Sequence, residues 1–69
     1  MLASALRQLR RDSVNTQEDI AHRAGIAVAA LARIERGQSN PHWTTVTRIA
    51  GALGISLAEL IEVVEDAVP

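Results

Sequence analysis

Apolar residues recur at helical spacing along nearly the whole chain, and glycines cut the pattern into short segments. Leu2, Ala5, Leu6 and Leu9 stand at i, i+3, i+4 and i+7, one face of a first helix. Thr16, with Asp19 three residues on, forms a short capping box and predicts a second helix from Gln17 to about Ala24, stopped by Gly25. A third helix runs from about Val28 to Arg36, burying Leu31 and Ile34, and Gly37 ends it. Gln38-Ser39-Asn40-Pro41 reads as loop. Trp43, Val46, Ile49, Ala50 and Leu53 form the apolar face of a fourth helix, capped by His42 and ended by Gly54. Ser56 opens a fifth helix over about 56–66, which carries Leu57, Leu60, Ile61, Val63 and Val64. Five short helices with tight turns and no strand pattern predict a compact all-α domain over 1–69.

A chain of 69 residues buries a modest core and gains from pairing with a second copy. It has no cysteine, which excludes disulfides and thiolate metal sites. His22 and His42 lack ligand-type neighbours at metal spacing, so neither a metal nor a cofactor is expected. No apolar run approaches the length of a membrane span. Met1 to Arg7 has no basic segment before an apolar one, so no secretory leader is expected and the expected location is cytoplasmic. No nucleophile–base pair, acid pair or glycine-rich phosphate loop is evident, and an enzyme is not expected. Charge is uneven along the chain. Residues 1–54 hold seven arginines against Asp12, Glu18, Asp19 and Glu35, a net of +3. Residues 55–69 hold Glu59, Glu62, Glu65 and Asp66, a net of −4, which read as a solvated acidic face. A weakly basic body suits contact with nucleic acid.

The second and third helices, about 17–36, are joined by a very short turn at Gly25, which is helix-turn-helix geometry. The residues around it are more specific. The runs Thr16-Gln17-Glu18-Asp19-Ile20-Ala21, Ala24-Gly25-Ile26, Leu31-Ala32-Arg33-Ile34-Glu35-Arg36-Gly37, Asn40-Pro41 and Arg48-Ile49-Ala50-Gly51-Ala52-Leu53-Gly54-Ile55-Ser56-Leu57 resemble the Xre/Cro family of helix-turn-helix regulators. The resemblance covers nearly the whole chain, from Leu6 to Leu60. It implies a lambda-repressor-like five-helix fold and a homodimer on palindromic double-stranded DNA, with the third helix in the major groove. Short members of the family include phage repressor fragments and controller proteins of restriction–modification systems.

By position, the resemblance implies DNA contacts from Thr16, Gln17, Ala27, Val28, Ala29, Ala32, Arg33, Arg36 and Asn40. Gln17 falls where family members touch phosphate and sometimes a base edge, and the helix start around it favours an anion; a solvated polar residue at a helix start is the alternative. Arg36 and Asn40 flank the exit of the third helix, where phosphate contacts occur; plain solvation is the alternative for each. Arg10 and Glu35 match a pair that forms an internal ion pair between the first and third helices.

The departures from the family pattern are concentrated on the reading helix. Ala27 stands where Ser or Thr usually caps it, a loss of about 1 kcal/mol. Val28, Ala29 and Ala32 stand where family members carry base-bonding side chains; these three can touch only thymine methyl groups. Arg33 is then the candidate for a bidentate contact to guanine, with a phosphate contact or a free surface charge as alternatives. The expectation is then either specificity resting on few base contacts together with DNA shape, or a chain that does not bind DNA sequence-specifically at all. Val14 and Asn15 replace the usual Gly and apolar residue; the expectation is that Asn15 takes the left-handed turn while Val14 packs inward.

Apolar supply near the C-terminus points to the dimer. Leu57, Leu60, Ile61 and Val64 fill one stripe of the fifth helix, Val63 lies outside it, and Ala67 and Val68 continue the excess. The expected interface is Trp43, Val46, Ile61, Val63 and Val64 on the fourth and fifth helices. The alternative from a different class is an antitoxin or protein-interaction module on a helix-turn-helix scaffold, which the apolar start of the third helix favours.

Overall fold

The computed structural model describes residues 2–66. It contains α1 (Leu2–Asp12), α2 (Gln17–Ala24), α3 (Val28–Glu35), α4 (Trp43–Ala52) and α5 (Leu57–Asp66), and no strand among the described residues. Each helix supplies one completely buried large side chain: Leu6, Ile20, Leu31, Ile49 and Leu60. Ala21, Ala24, Ile34, Val46 and Ala50 fill the space between them. α2 sits at the centre and packs on α4 and α3, while α1 packs on α3 and α5 and closes the bundle. No helix among the described residues is long and apolar enough to cross a membrane.

Local chemistry sets the helix ends. Thr16 Oγ1 accepts from the Asp19 amide at 3.1 Å, and Asp19 Oδ2 accepts from the Thr16 amide at 3.2 Å, a full capping box. The Thr16 amide first, and then the Thr16 hydroxyl, hold the Asp19 carboxyl below the usual carboxylate range. Ser56 and Glu59 make the same reciprocal pair at the start of α5. His42 occupies the N-cap position of α4, but its side chain makes no capping bond, contrary to the sequence expectation. An imidazole is bulkier than a hydroxyl, and its backbone carbonyl alone serves the helix, accepting from the Val46 amide at 3.1 Å.

The α1–α2 turn differs from expectation in a way that has a clear cause. Val14, not Asn15, has the left-handed backbone, with φ 59°, and its side chain is 90 % exposed. The amide of Asn15 bonds the carbonyl of Arg10 at 3.2 Å and that of Val14 bonds Arg11 at 3.0 Å. This is a Schellman ending, and it puts residue 14 at the position that requires αL. Asn15 instead secures the turn with its side chain, which donates to Ser13 Oγ at 2.9 Å. Val14 is a β-branched residue held where glycine is favoured, and its open side chain returns little burial. Val14→Gly is therefore expected to stabilise the domain. Relief of about 1–2 kcal/mol of αL strain exceeds the extra chain entropy of glycine, roughly 0.5–1 kcal/mol. Thermal unfolding should rise by a few degrees, and an unchanged or lower midpoint would reject the strain.

The C-terminal patch is also redistributed. Val46 is only 8 % exposed and belongs to the core. Val64 packs against that core, and Val63 is half-buried. Ile61, expected inside the α5 stripe, is 47 % exposed. α5 has to pack on both α1 and α4, so its inward line runs through Leu57, Leu60 and Val64 and turns toward Val63 rather than Ile61. Trp43 is 68 % exposed. Ala67 and Val68 lie outside the described residues.

Candidate nucleic-acid interface

Gly25, Ile26 and Ala27 join α2 to α3. Gly25 takes φ 71°, and the Ile26 amide returns to the Ala21 carbonyl at 3.0 Å, which closes α2 in the same manner as α1. On α3, Leu31, Ile34 and Glu35 are buried. Ala29, Ala32, Arg33 and Arg36 then fall at i, i+3, i+4 and i+7 on the opposite, outward stripe. Ala29, Arg33 and Arg36 are exposed and Ala32 is half-buried, while Val28 in the first turn is 40 % exposed.

A buried carboxylate fixes this helix. Glu35 is 2 % exposed, and Arg10 Nε and Nη2 donate to its two oxygens at 2.8 and 2.9 Å. This two-pronged pair joins α1 to α3, as the resemblance implied. Two further contacts have no counterpart in the sequence reading. Gln17 Nε2 donates to Glu35 Oε1 at 3.2 Å, and Arg7 Nη1 reaches the Glu35 carbonyl at 3.4 Å. The placement of Arg7 three residues before Arg10 on α1 was the one available signal; nothing in sequence announced the Gln17 bond. Burial pushes the Glu35 carboxyl up, but the Arg10 bonds, the Gln17 amide and the two guanidinium charges outweigh it, so the group lies below the usual range.

The other expected contact residues fall around α3. Thr16 is exposed, with its oxygen committed to the cap. Gln17 is half-buried and reaches inward as well as lying at the α2 start. Arg36 Nε donates to Gln38 Oε1 at 3.2 Å, while the Arg33 guanidinium makes no hydrogen bond among the described residues. Arg33 and Asn40 line an open groove of about 470 Å³ between α3, the 38–42 loop and Thr45 of α4. Ala27 begins α3 with no side-chain cap bond. Ala27→Ser should supply one and raise stability by about 0.5–2 kcal/mol. A chemical-denaturation midpoint that fails to rise would show that the first turn is satisfied otherwise. Among the described residues no three His, Asp or Glu side chains gather as a metal site would require.

A family model for the helix-turn-helix domain matches residues 1–63. The chain belongs to the helix-turn-helix domain family. Across 61 residues this helix-turn-helix protein is 38 % identical to the uncharacterized HTH-type transcriptional regulator y4dJ of Sinorhizobium fredii, covering 88 % of this chain and 79 % of that one. Its fold resembles the crystal structure of the restriction–modification controller protein C.AhdI from Aeromonas hydrophila, with 32 % identity and a TM-score of 0.82. That match covers 86 % of this chain and 89 % of the other. It also superposes on C.Esp1396I bound to a 25 base pair operator site, with a TM-score of 0.89 over 99 % of this chain and 91 % of that one. At 20 % identity this last likeness concerns the fold alone.

Proposed function

We propose that this helix-turn-helix protein is a sequence-specific regulator of transcription that binds a palindromic duplex operator as a homodimer in the cytoplasm, with α3 in the major groove. The observation that carries the reading is the outward stripe of α3. It presents two arginines and no carboxylate, on a helix held by charge against the rest of the domain. Membership of the family supports it, as does the fold shared with an operator-bound controller protein. Arg33 reads a base edge, while Arg36, Asn40 and the start of α2 meet phosphates. Gln17 keeps one amide hydrogen for phosphate while the other serves Glu35. The activity is binding, not catalysis. Selection from random duplex DNA should enrich one palindromic sequence, whose affinity falls steeply with salt. Enrichment of nothing would favour the interaction-module reading, for which the apolar first turn of α3 is the supporting observation.

The dimer is proposed on α4 and α5, around Trp43 and Ile61, with Val63 at the border. Val46 and Val64 are occupied by the core of their own chain. Trp43 lies at i−3 and i−7 from Val46 and Ala50, so it continues the core line past the edge of the monomer. Two-fold pairing would cover it and set the two reading helices about 34 Å apart, one turn of DNA. Trp43 is the one aromatic residue of the chain, so its emission should shift to the blue as concentration rises through the monomer–dimer range. Sedimentation equilibrium at micromolar concentration should show the dimer; a monomer unchanged by operator DNA would sink it.

A further inference from the structure

In the major groove a protein can distinguish base pairs through hydrogen-bonding edge atoms or through the C5-methyl group of thymine. The outward side chains of α3 ahead of Arg33 offer only the second kind of contact. Val28 is 40 % exposed and Ala29 is open, with half-buried Ala32 one turn on. Val28 stands outside the hydrophobic core and the apolar residues packed on it, so core packing does not account for an apolar residue there. Arg33 and Arg36 place two cations at the far end of the same stripe, and the acid of α3, Glu35, points inward. An apolar opening backed by cations is complementary in charge to duplex DNA and in chemistry to the methyl-bearing pyrimidines in its groove.

We propose that α3 reads pyrimidine C5-methyl groups: Val28, Ala29 and Ala32 pack on the methyls of thymine or 5-methylcytosine, and Arg33 fixes the register. The inference rests on the DNA-binding reading and deepens it. Thymine and 5-methylcytosine differ in the hydrogen-bonding atom at C4 but carry the same methyl group. Side chains with no donor or acceptor cannot tell them apart. Cytosine methylation at a contacted pyrimidine would therefore be felt as though thymine stood there.

The test uses the duplex selected from random DNA, resynthesised with deoxyuridine for thymidine at one position at a time. Each contacted thymine replaced should weaken binding about fourfold, the worth of one buried methyl-sized group. Cytosine placed at that position should bind as weakly as uracil, and 5-methylcytosine should restore the loss. In Val28→Ser the uracil penalty should vanish at the base that Val28 covers, because no apolar surface remains to meet the methyl. If every uracil-substituted duplex binds as the parent does, while sequence is still discriminated, methyl reading is overturned and the regulator reading stands. A uracil penalty identical in Val28→Ser would also overturn it, since the methyl would then act through DNA shape. Failure to select any duplex overturns both readings and points to a protein partner for α3.

Discussion

Replacing Arg10 by alanine is expected to leave the domain close to unfolded at room temperature. Glu35 is buried, and Arg10 supplies both of its charged hydrogen bonds. Removing one partner of such a pair strands a charge in the interior and costs about 3–5 kcal/mol. A small domain has roughly 5 kcal/mol at the low end of the ordinary range, so most of the margin disappears. The cost comes from the orphaned carboxylate more than from the lost contact. Replacing Arg10 and Glu35 together by methionine should therefore be far milder than either single change. The pH dependence separates the two cases. In the parent the folded Glu35 pKa is depressed, so its contribution is present above the ordinary glutamate pKa and is lost as pH falls through the lower folded value. In Arg10→Ala burial dominates and raises that pKa, so stability should recover as pH falls from neutrality toward 5. Denaturation midpoints at several pH values decide it; parallel profiles for parent and variant would show that the pair is not what holds α3.

The second large effect concerns the DNA surface. Arg33→Ala should relax discrimination at one operator base pair by about 1–3 kcal/mol, and at its symmetry mate in the other half-site. Arg33 is the one side chain of the outward α3 stripe, ahead of the C-terminal Arg36, that has donors to offer a guanine edge. It is exposed, and no internal hydrogen bond competes for it among the described residues. Arg36 caps the end of α3 and is steadied by Gln38, a placement suited to the phosphate backbone. Arg36→Ala should weaken selected and random duplexes alike and reduce the salt slope by about one. Binding isotherms on both kinds of duplex separate the roles. Equal losses on both from Arg33→Ala would move Arg33 to the backbone as well.

The five helices were legible because each has an apolar stripe, and for α2 to α5, which also have start or stop signals, the observed boundaries fall within a residue of those expected. α1 had no stop signal and runs on to Asp12, three residues past the last apolar position of its stripe. What failed to show was register at single positions. Whether residue 14 or 15 takes the left-handed backbone depends on where α1 makes its last bond, and apolar spacing does not resolve one residue. The exposure of Ile61 and the burial of Val46 depend on how α5 divides its surface between α1 and α4, a property of helix crossing and not of any segment. At the interface, the Arg10–Glu35 pair was available through family resemblance. The Gln17 bond was not, because two polar residues 18 positions apart leave no local trace.

The grip on Glu35 also grades local stability along α3. Its C-terminal end is tied to α1 and α2 by several charged or polar bonds, whereas its first turn has an uncapped start at Ala27 and open side chains. Protection of backbone amides from solvent exchange should then climb from Val28 toward Glu35, with the late amides released only when the whole domain opens. Such a helix is a lever clamped at one end. Its free end can settle a fraction of an ångström into the shape of a particular groove, while the clamped end holds the angle at which the helix meets its target.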